Sequence, residues 1–202
     1  MEIDEKHTQC SPGQLGSSAT NMAIVEESVA GDDVLALYRD FRFRFGRVDL
    51  PGIVKCFATN PPLLKCMIDL AAGFLFVDSH LTRKHKEMVA TLVSAQNECP
   101  YCASSHGNLL LAHGGTTEIL SSLESGVVDS ACFTKREQAL LGFVLRVNAA
   151  SQFINRPDVE ETMQAGWTEA QLAEAVHLTA LFAAFNRIAN AFGIVPPNLR
   201  LA

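Results

Sequence analysis

The sequence predicts an all-α protein. Three observations carry this. Runs of strictly alternating apolar and polar residues, the mark of strands, are nearly absent. Thr, Asp or Asn followed by apolar residues three and four apart recurs along the chain, as helix starts require. Gly46, Gly114-Gly115, Gly193 and Pro196-Pro197 fall where those patterns end.

Taken in order, residues 1–20 are rich in Ser, Gly, Gln and Thr and are expected to be a mobile extension, leaving 21–202 as one helical domain. After Gly31, Asp32 or Asp33 caps a helix to Phe45, and Gly46 ends it. Pro51 is placed as the first residue of a short helix to about Thr59. Asn60-Pro61-Pro62 breaks the chain and starts the next helix, with Leu63, Leu64, Met67, Ile68, Ala71 and Leu75 at helical spacing. Thr82 caps 83–96, with Met88, Leu92 and Val93 on its apolar side. Cys99-Pro100 opens another helix and Gly114-Gly115 closes it. Further helices run from Thr116 to Glu124, from the Thr134 cap to about Ala150, from Asp158 to Ala165, and from the Thr168 cap to Phe192. A weak internal repeat is visible: Leu81 to Lys84 matches Phe133 to Arg136, and Gly115 to Glu118 resembles Gly166 to Glu169.

Composition limits the function. The 202 residues carry a net charge of −6, with 48% hydrophobic and 19% charged residues. No basic stripe is present, which argues against nucleic acid; Phe41 to Arg47 reads as helix with solvated arginines. The longest apolar run, Leu70 to Val77, is too short to span a bilayer, and the acidic start has no secretory signal, so a cytoplasmic location is expected. Six cysteines are too few for a disulfide scaffold in a chain of this length. Cys56 and Cys66 read as small core residues. His177, flanked by Val176 and Leu178, reads as a core histidine, whereas His80, His85 and His113 read as surface or capping residues.

The chemistry concentrates in Leu81 to Gly114, which holds Glu87, Cys99, Cys102 and His106. With Pro100 as the first helical residue, Cys99 is the cap and Cys102 lies in the first turn. Free peptide N–H groups and the helix dipole favour a thiolate there. His106 is four residues after Cys102 and seven after Cys99. At roughly 100° per residue the three share one face. The imidazole can then lie over Cys102 and share its proton. Glu87, on the preceding antiparallel helix, can reach the imidazole directly or through water, orient it and accept its proton. Glu98, beside Cys99, would raise a thiol pKa and is given no such role. Asn186 and Asn190, one turn apart, can hydrogen-bond near the site or bridge subunits. A zinc site on Cys99, Cys102 and His106 is the main chemical rival, but a fourth ligand is not obvious. A thioredoxin fold is rejected because no βαβ pattern surrounds the dithiol. A non-enzymatic redox sensor or disulfide-exchange protein uses the same thiols.

Glu87, Cys99, Cys102 and His106, with gaps of twelve, three and four, resemble the signature of the alkylhydroperoxidase D-like, peroxidase-related family of the carboxymuconolactone decarboxylase superfamily. Asn60 to Leu64 and Phe185 to Asn190 fit the same resemblance, which covers about Val48 to Gly193. It implies a multi-helical bundle, homo-oligomers (trimers or hexamers), and reduction of hydroperoxides through the cysteine pair, with no cofactor and with a thiol or lipoyl reductant as partner. It implies Cys102 as the peroxidatic thiolate, Cys99 as the resolving thiol, and His106 and Glu87 as the proton relay. Tyr101 stands where alkylhydroperoxidase D proper has a histidine between its cysteines. The decarboxylase branch lacks the pair, so lactone chemistry is disfavoured.

Overall fold

A computed structural model describes residues 20–196. The extension expected over 1–20 therefore lies outside the described residues but for Thr20. Among these residues there is no strand, and the helices are α1 (Asp32–Phe45), α2 (Gly52–Phe57), α3 (Pro61–Leu70), α4 (Arg83–Gln96), α5 (Pro100–Ala112), α6 (Thr117–Glu124), α7 (Lys135–Ala150), α8 (Arg156–Gln164) and α9 (Glu169–Phe192). No helix among them is long and apolar enough to cross a membrane.

Helix α4 is the centre. Every residue from Lys86 to Ser94 is buried, so the helix is covered on all sides, by α5, α6, α7 and α9. Its start is fixed by Thr82, whose hydroxyl accepts the His85 N–H. Thr116, Thr134 and Thr168 cap α6, α7 and α9 in the same way. The repeated sequence words thus mark the starts of equivalent helices in α4–α6 and α7–α9. Gly46 and Gly193 end α1 and α9 in the left-handed conformation that glycine adopts without a Cβ penalty.

The structure differs from the sequence expectations at several points. Pro51 is the cap of α2, not its first residue. Helix α8 starts two residues earlier than expected, because Asn155 and Asp158 form a reciprocal capping box. Beyond α3 the chain widens into a π-turn, Ala71–Leu75, in which the Phe76 N–H bonds the Ala71 carbonyl at 3.0 Å. Cys56 is buried, but Cys66 is exposed, because α3 turns Leu64, Met67 and Ile68 inward. His177 is also exposed: the buried face of α9 carries Glu174, Ala175, Leu178 and Phe182. Two arginines of α1 are paired, Arg42 with Glu27 and Arg44 with Asp40 and Asp69.

Segment 20–30 runs beside the cysteine cluster, against which Ile24 packs. The Asn21 N–H bonds the Phe192 carbonyl at 2.8 Å, and the Val25 carbonyl accepts the Tyr38 hydroxyl at 2.6 Å.

Candidate active site

The turn between α4 and α5 sets the dithiol. Its residue Glu98 has φ 51°, a left-handed conformation rare for a side chain with a Cβ. The Asn190 side-chain amide donates to the Asn97 and Glu98 carbonyls at 3.4 and 3.2 Å and holds this turn from α9. Cys99 follows as the cap of α5, Pro100 is the first helical residue, and Cys102 is the third. Both cysteines are free thiols, 1% and 4% exposed, and pack with Cys56, Tyr101, Ala189 and Ile194.

The imidazole and the carboxylate meet directly. His106 Nδ1 lies 2.6 Å from Glu87 Oε2, and the ring stands edge-on to Phe182 at 4.6 Å. The other carboxylate oxygen accepts from Arg83 Nε at 2.7 Å and from Nη2 at 2.6 Å. Arg83 also stacks its guanidinium over Phe76 at 4.5 Å. Burial raises the Glu87 carboxyl, but the His106 and Arg83 contacts outweigh it and hold the group below the usual carboxylate range. Glu87 is therefore held as an anion against the ring. Arg83 escaped the sequence reading. Its signal was available: a cation one helical turn before the carboxylate.

The sulfurs are unequal. A hydrogen bond from the Cys102 thiol lowers Cys99 to about 7 against the effect of burial. The Cys102 and Tyr101 peptide N–H groups and the Asn186 amide add to the lowering. Cys102 is pushed up, first by its hydrogen bond to Cys99 and then by burial. The shared hydrogen bond thus favours a negative charge on Cys99 over one on Cys102. The helix N-terminus serves the cap residue better than the third residue.

A cavity of about 680 Å³ opens beside the pair, and Cys102 and His106 line it whereas Cys99 does not. Its walls include Phe41, Phe57, Phe76, Phe182 and Phe185, and its polar rim includes Arg47 and Asp49. Phe74 is not part of this lining and packs its ring on the Lys86 ammonium at 4.8 Å.

A second buried ionic group lies next to the relay and was not foreseen. Lys86 and Glu174, 2% and 4% exposed, pair at 2.7 Å. Lys86 Nζ also donates to the Phe74 carbonyl of the π-turn at 2.6 Å and to Ser79 Oγ at 2.7 Å. Glu174 takes the Leu81 N–H at 2.8 Å and the Ser79 hydroxyl. Every donor of the ammonium is used, so Lys86 is a structural pin for the π-turn that carries Leu75 into the cavity wall. No group of three or more His, Cys, Asp or Glu side chains among the described residues is arranged to hold a metal ion.

Comparison with known proteins adds a partial family match and a fold. Residues 61–146 match the carboxymuconolactone decarboxylase family. A peroxidase-related protein from Ralstonia eutropha JMP134, described as an alkylhydroperoxidase AhpD core, is 23% identical with a TM-score of 0.79, over 91% of this chain and 95% of that one. A peroxidase-related protein from Silicibacter sp. TM1040 is 22% identical with a TM-score of 0.77, over 91% and 94%. The debrominase Bmp8, in complex with 2,3,4-tribromopyrrole, is 16% identical with a TM-score of 0.65, over 94% and 98%. At these identities the likeness is one of fold. No curated protein sequence matches the chain.

Proposed function

Starting from a chain whose residues 61–146 match the carboxymuconolactone decarboxylase family and whose fold is alkylhydroperoxidase D-like, we propose that it is a thiol-dependent peroxidase serving antioxidant defence. The observation that carries this reading is the shared cavity: a thiol and an anchored imidazole face one apolar space, with a second thiol directly behind the first.

The chemistry follows from that order. His106 takes the Cys102 proton while Glu87, held by Arg83, balances the ring's charge. The Cys102 sulfur attacks the terminal oxygen of a hydroperoxide and the O–O bond breaks. The alkoxide leaves with the proton from His106, as an alcohol, and Cys102 becomes a sulfenic acid. The Cys99 thiolate then attacks that sulfur, forming the disulfide and expelling hydroxide, which leaves as water after protonation. The dithiol has given two electrons. A thiol or lipoyl reductant restores it. We place the protein in the cytoplasm as a homo-oligomer, a trimer or hexamer, for which Phe43 and Val48, 88% and 89% exposed, offer apolar surface.

The test pairs several hydroperoxides with lipoyl, thioredoxin and glutathione donors. Sustained peroxide consumption that is lost in Cys102→Ser supports the proposal. Full turnover in that variant rejects it.

A further inference from the structure

Helix α5 gives the cavity two parallel rows of side chains. Cys102 and His106, one turn apart, form the reactive row, and Tyr101, Ser105 and Leu109 form a second row beside it. At roughly 100° and 1.5 Å per residue the two rows are neighbours on one helix. Tyr101 is 7% exposed. Its hydroxyl oxygen accepts the Ile53 N–H at 3.2 Å, in the first turn of α2, whose Pro51 cap has no side-chain acceptor to offer. Gly52 and Ile53, at that end of the ring, line the cavity as well. The bond from Ile53 uses a lone pair of the oxygen. Among the described residues the phenolic hydrogen has no acceptor. Burial pushes the group up to about 12, so it keeps that hydrogen at neutral pH. The cations of the cavity wall are engaged elsewhere: Arg47 pairs with Asp49 at 3.1 Å and Lys55 with Glu26 at 2.6 Å, and all four residues line the space.

We propose that Tyr101 is a specificity-determining residue: its hydroxyl donates to a carbonyl oxygen on the body of an uncharged organic hydroperoxide whose peroxide end meets Cys102. Capping α2 accounts for the hydroxyl oxygen, and packing with the cysteines accounts for the ring, but neither uses the hydrogen. A single donor in a largely aromatic wall is the kind of group that fixes a ligand's orientation, and about 680 Å³ suits a ligand of drug-like size. A donor placed for an acceptor also works by exclusion, because a substrate without that acceptor leaves it unpaired. A carboxylate on the substrate would lose its water and meet only cations that already hold carboxylates of their own.

The inference rests on the proposed peroxidase reading, and the test lets the two fail separately. Cumene hydroperoxide is given a para-acetyl, a para-isopropyl or a para-carboxyl group, so that one body carries a carbonyl, its apolar counterpart or a charge. Tyr101→Phe removes the hydroxyl and keeps the ring. The ratio of kcat/KM for the acetyl compound over the isopropyl compound should fall about fivefold in this variant, the worth of one neutral hydrogen bond. The wild-type protein should use the carboxyl compound less well than the acetyl one by about tenfold or more. A lost α2 cap alone slows the acetyl and isopropyl compounds equally, so an unchanged ratio overturns the proposal. A carboxyl compound used as well as the acetyl one overturns the uncharged substrate class. Should Tyr101→Phe fail to fold, or should no hydroperoxide turn over, the wild-type protein still decides. The unreactive product, para-acetylcumyl alcohol, is bound to the full chain and its carbonyl stretch is read by isotope-edited infrared spectroscopy. A stretch lowered from its value in hexane supports the donor, and an unshifted stretch, or no binding, overturns it. A bound alcohol with a lowered stretch but no turnover of any hydroperoxide would count against the proposed function and not against Tyr101.

Discussion

Replacing Glu87 by Gln removes a charge from the relay while keeping its shape. The carboxylate is 2% exposed and lies 2.6 Å from both His106 Nδ1 and Arg83 Nη2. Removing one member of a buried charged set costs about 3–5 kcal/mol. Gln retains one acceptor for Arg83, whose side chain is 14% exposed and partly wetted, so the lower end, about 3 kcal/mol, is expected. In a chain of this size that lowers the melting temperature by about 6–12 °C. The pH dependence fixes the cause. Burial raises the Glu87 carboxyl, but His106 and Arg83 bring it below its ordinary 4.5. Its contribution is therefore complete above about pH 4.5 and disappears as the pH falls through the depressed folded-state value. The gap in melting temperature between wild type and Glu87→Gln should be level from about pH 8 to 5 and should close in more acidic buffer. Peroxide reduction should fall about a hundredfold or more as the ring loses its anchor. Melts followed by circular dichroism across this pH range, with peroxide kinetics alongside, make the measurement. A gap that persists in acid, or no gap at neutral pH, refutes the ionised-carboxylate argument.

Other expectations are independent of this one. Cys99→Ser should still accept one oxygen from peroxide, as a sulfenic acid on Cys102 that dimedone traps, whereas Cys102→Ser should accept none; mass spectrometry of the reduced variants decides, and the reverse result makes Cys99 the attacking sulfur. Lys86→Met strands the Glu174 carboxylate and should cost about 3–5 kcal/mol in urea unfolding. Lys86→Met with Glu174→Met should recover at least half of that; a double variant less stable than the single one contradicts the reading of this pair as a pin. Thr134→Ala breaks a reciprocal capping box on α7 and should cost about 1 kcal/mol, or about 2–4 °C; an unchanged melt would show that the cap adds nothing.

Helix starts were legible because a cap is local chemistry. Thr82, Thr116, Thr134 and Thr168 each bond a peptide N–H three residues on, and no distant residue is needed to see it. The start of α8 was misplaced where the same chemistry ran through Asn155 and was overlooked. The π-turn was hidden, since Ala71 and Leu75 keep an ordinary helical spacing whether the turn is α or π. In the site, helical spacing and one tight turn sufficed to bring Glu87 toward His106, because both follow from the geometry of two adjacent helices. The Lys86–Glu174 pair could not be found that way, and although Asn186 and Asn190 were legible as hydrogen-bonding near the site, their partners Ser94, Asn97 and Glu98 were not, because nothing local fixes how α9 crosses α4. The cavity is built from five separate stretches of chain, so its size and its access to Cys102 alone are properties of the assembled fold.

One long helix touches every part of the chemistry. On α9, Glu174 meets the Lys86 pin, Phe182 the His106 ring, Asn186 the Ser94 hydroxyl and the Asn97 amide, and Asn190 the strained turn, at intervals of four or eight residues. These contacts form a slow spiral along a single rod, and its rotational phase is common to all of them. Deleting one residue near Ala175 would swing everything beyond it by about 100°, so that the aromatic and both amides leave their partners together. Point substitutions dim the centre one contact at a time, but a frame slip in this rod extinguishes it in one stroke, far from the thiols in sequence and with the helix itself intact.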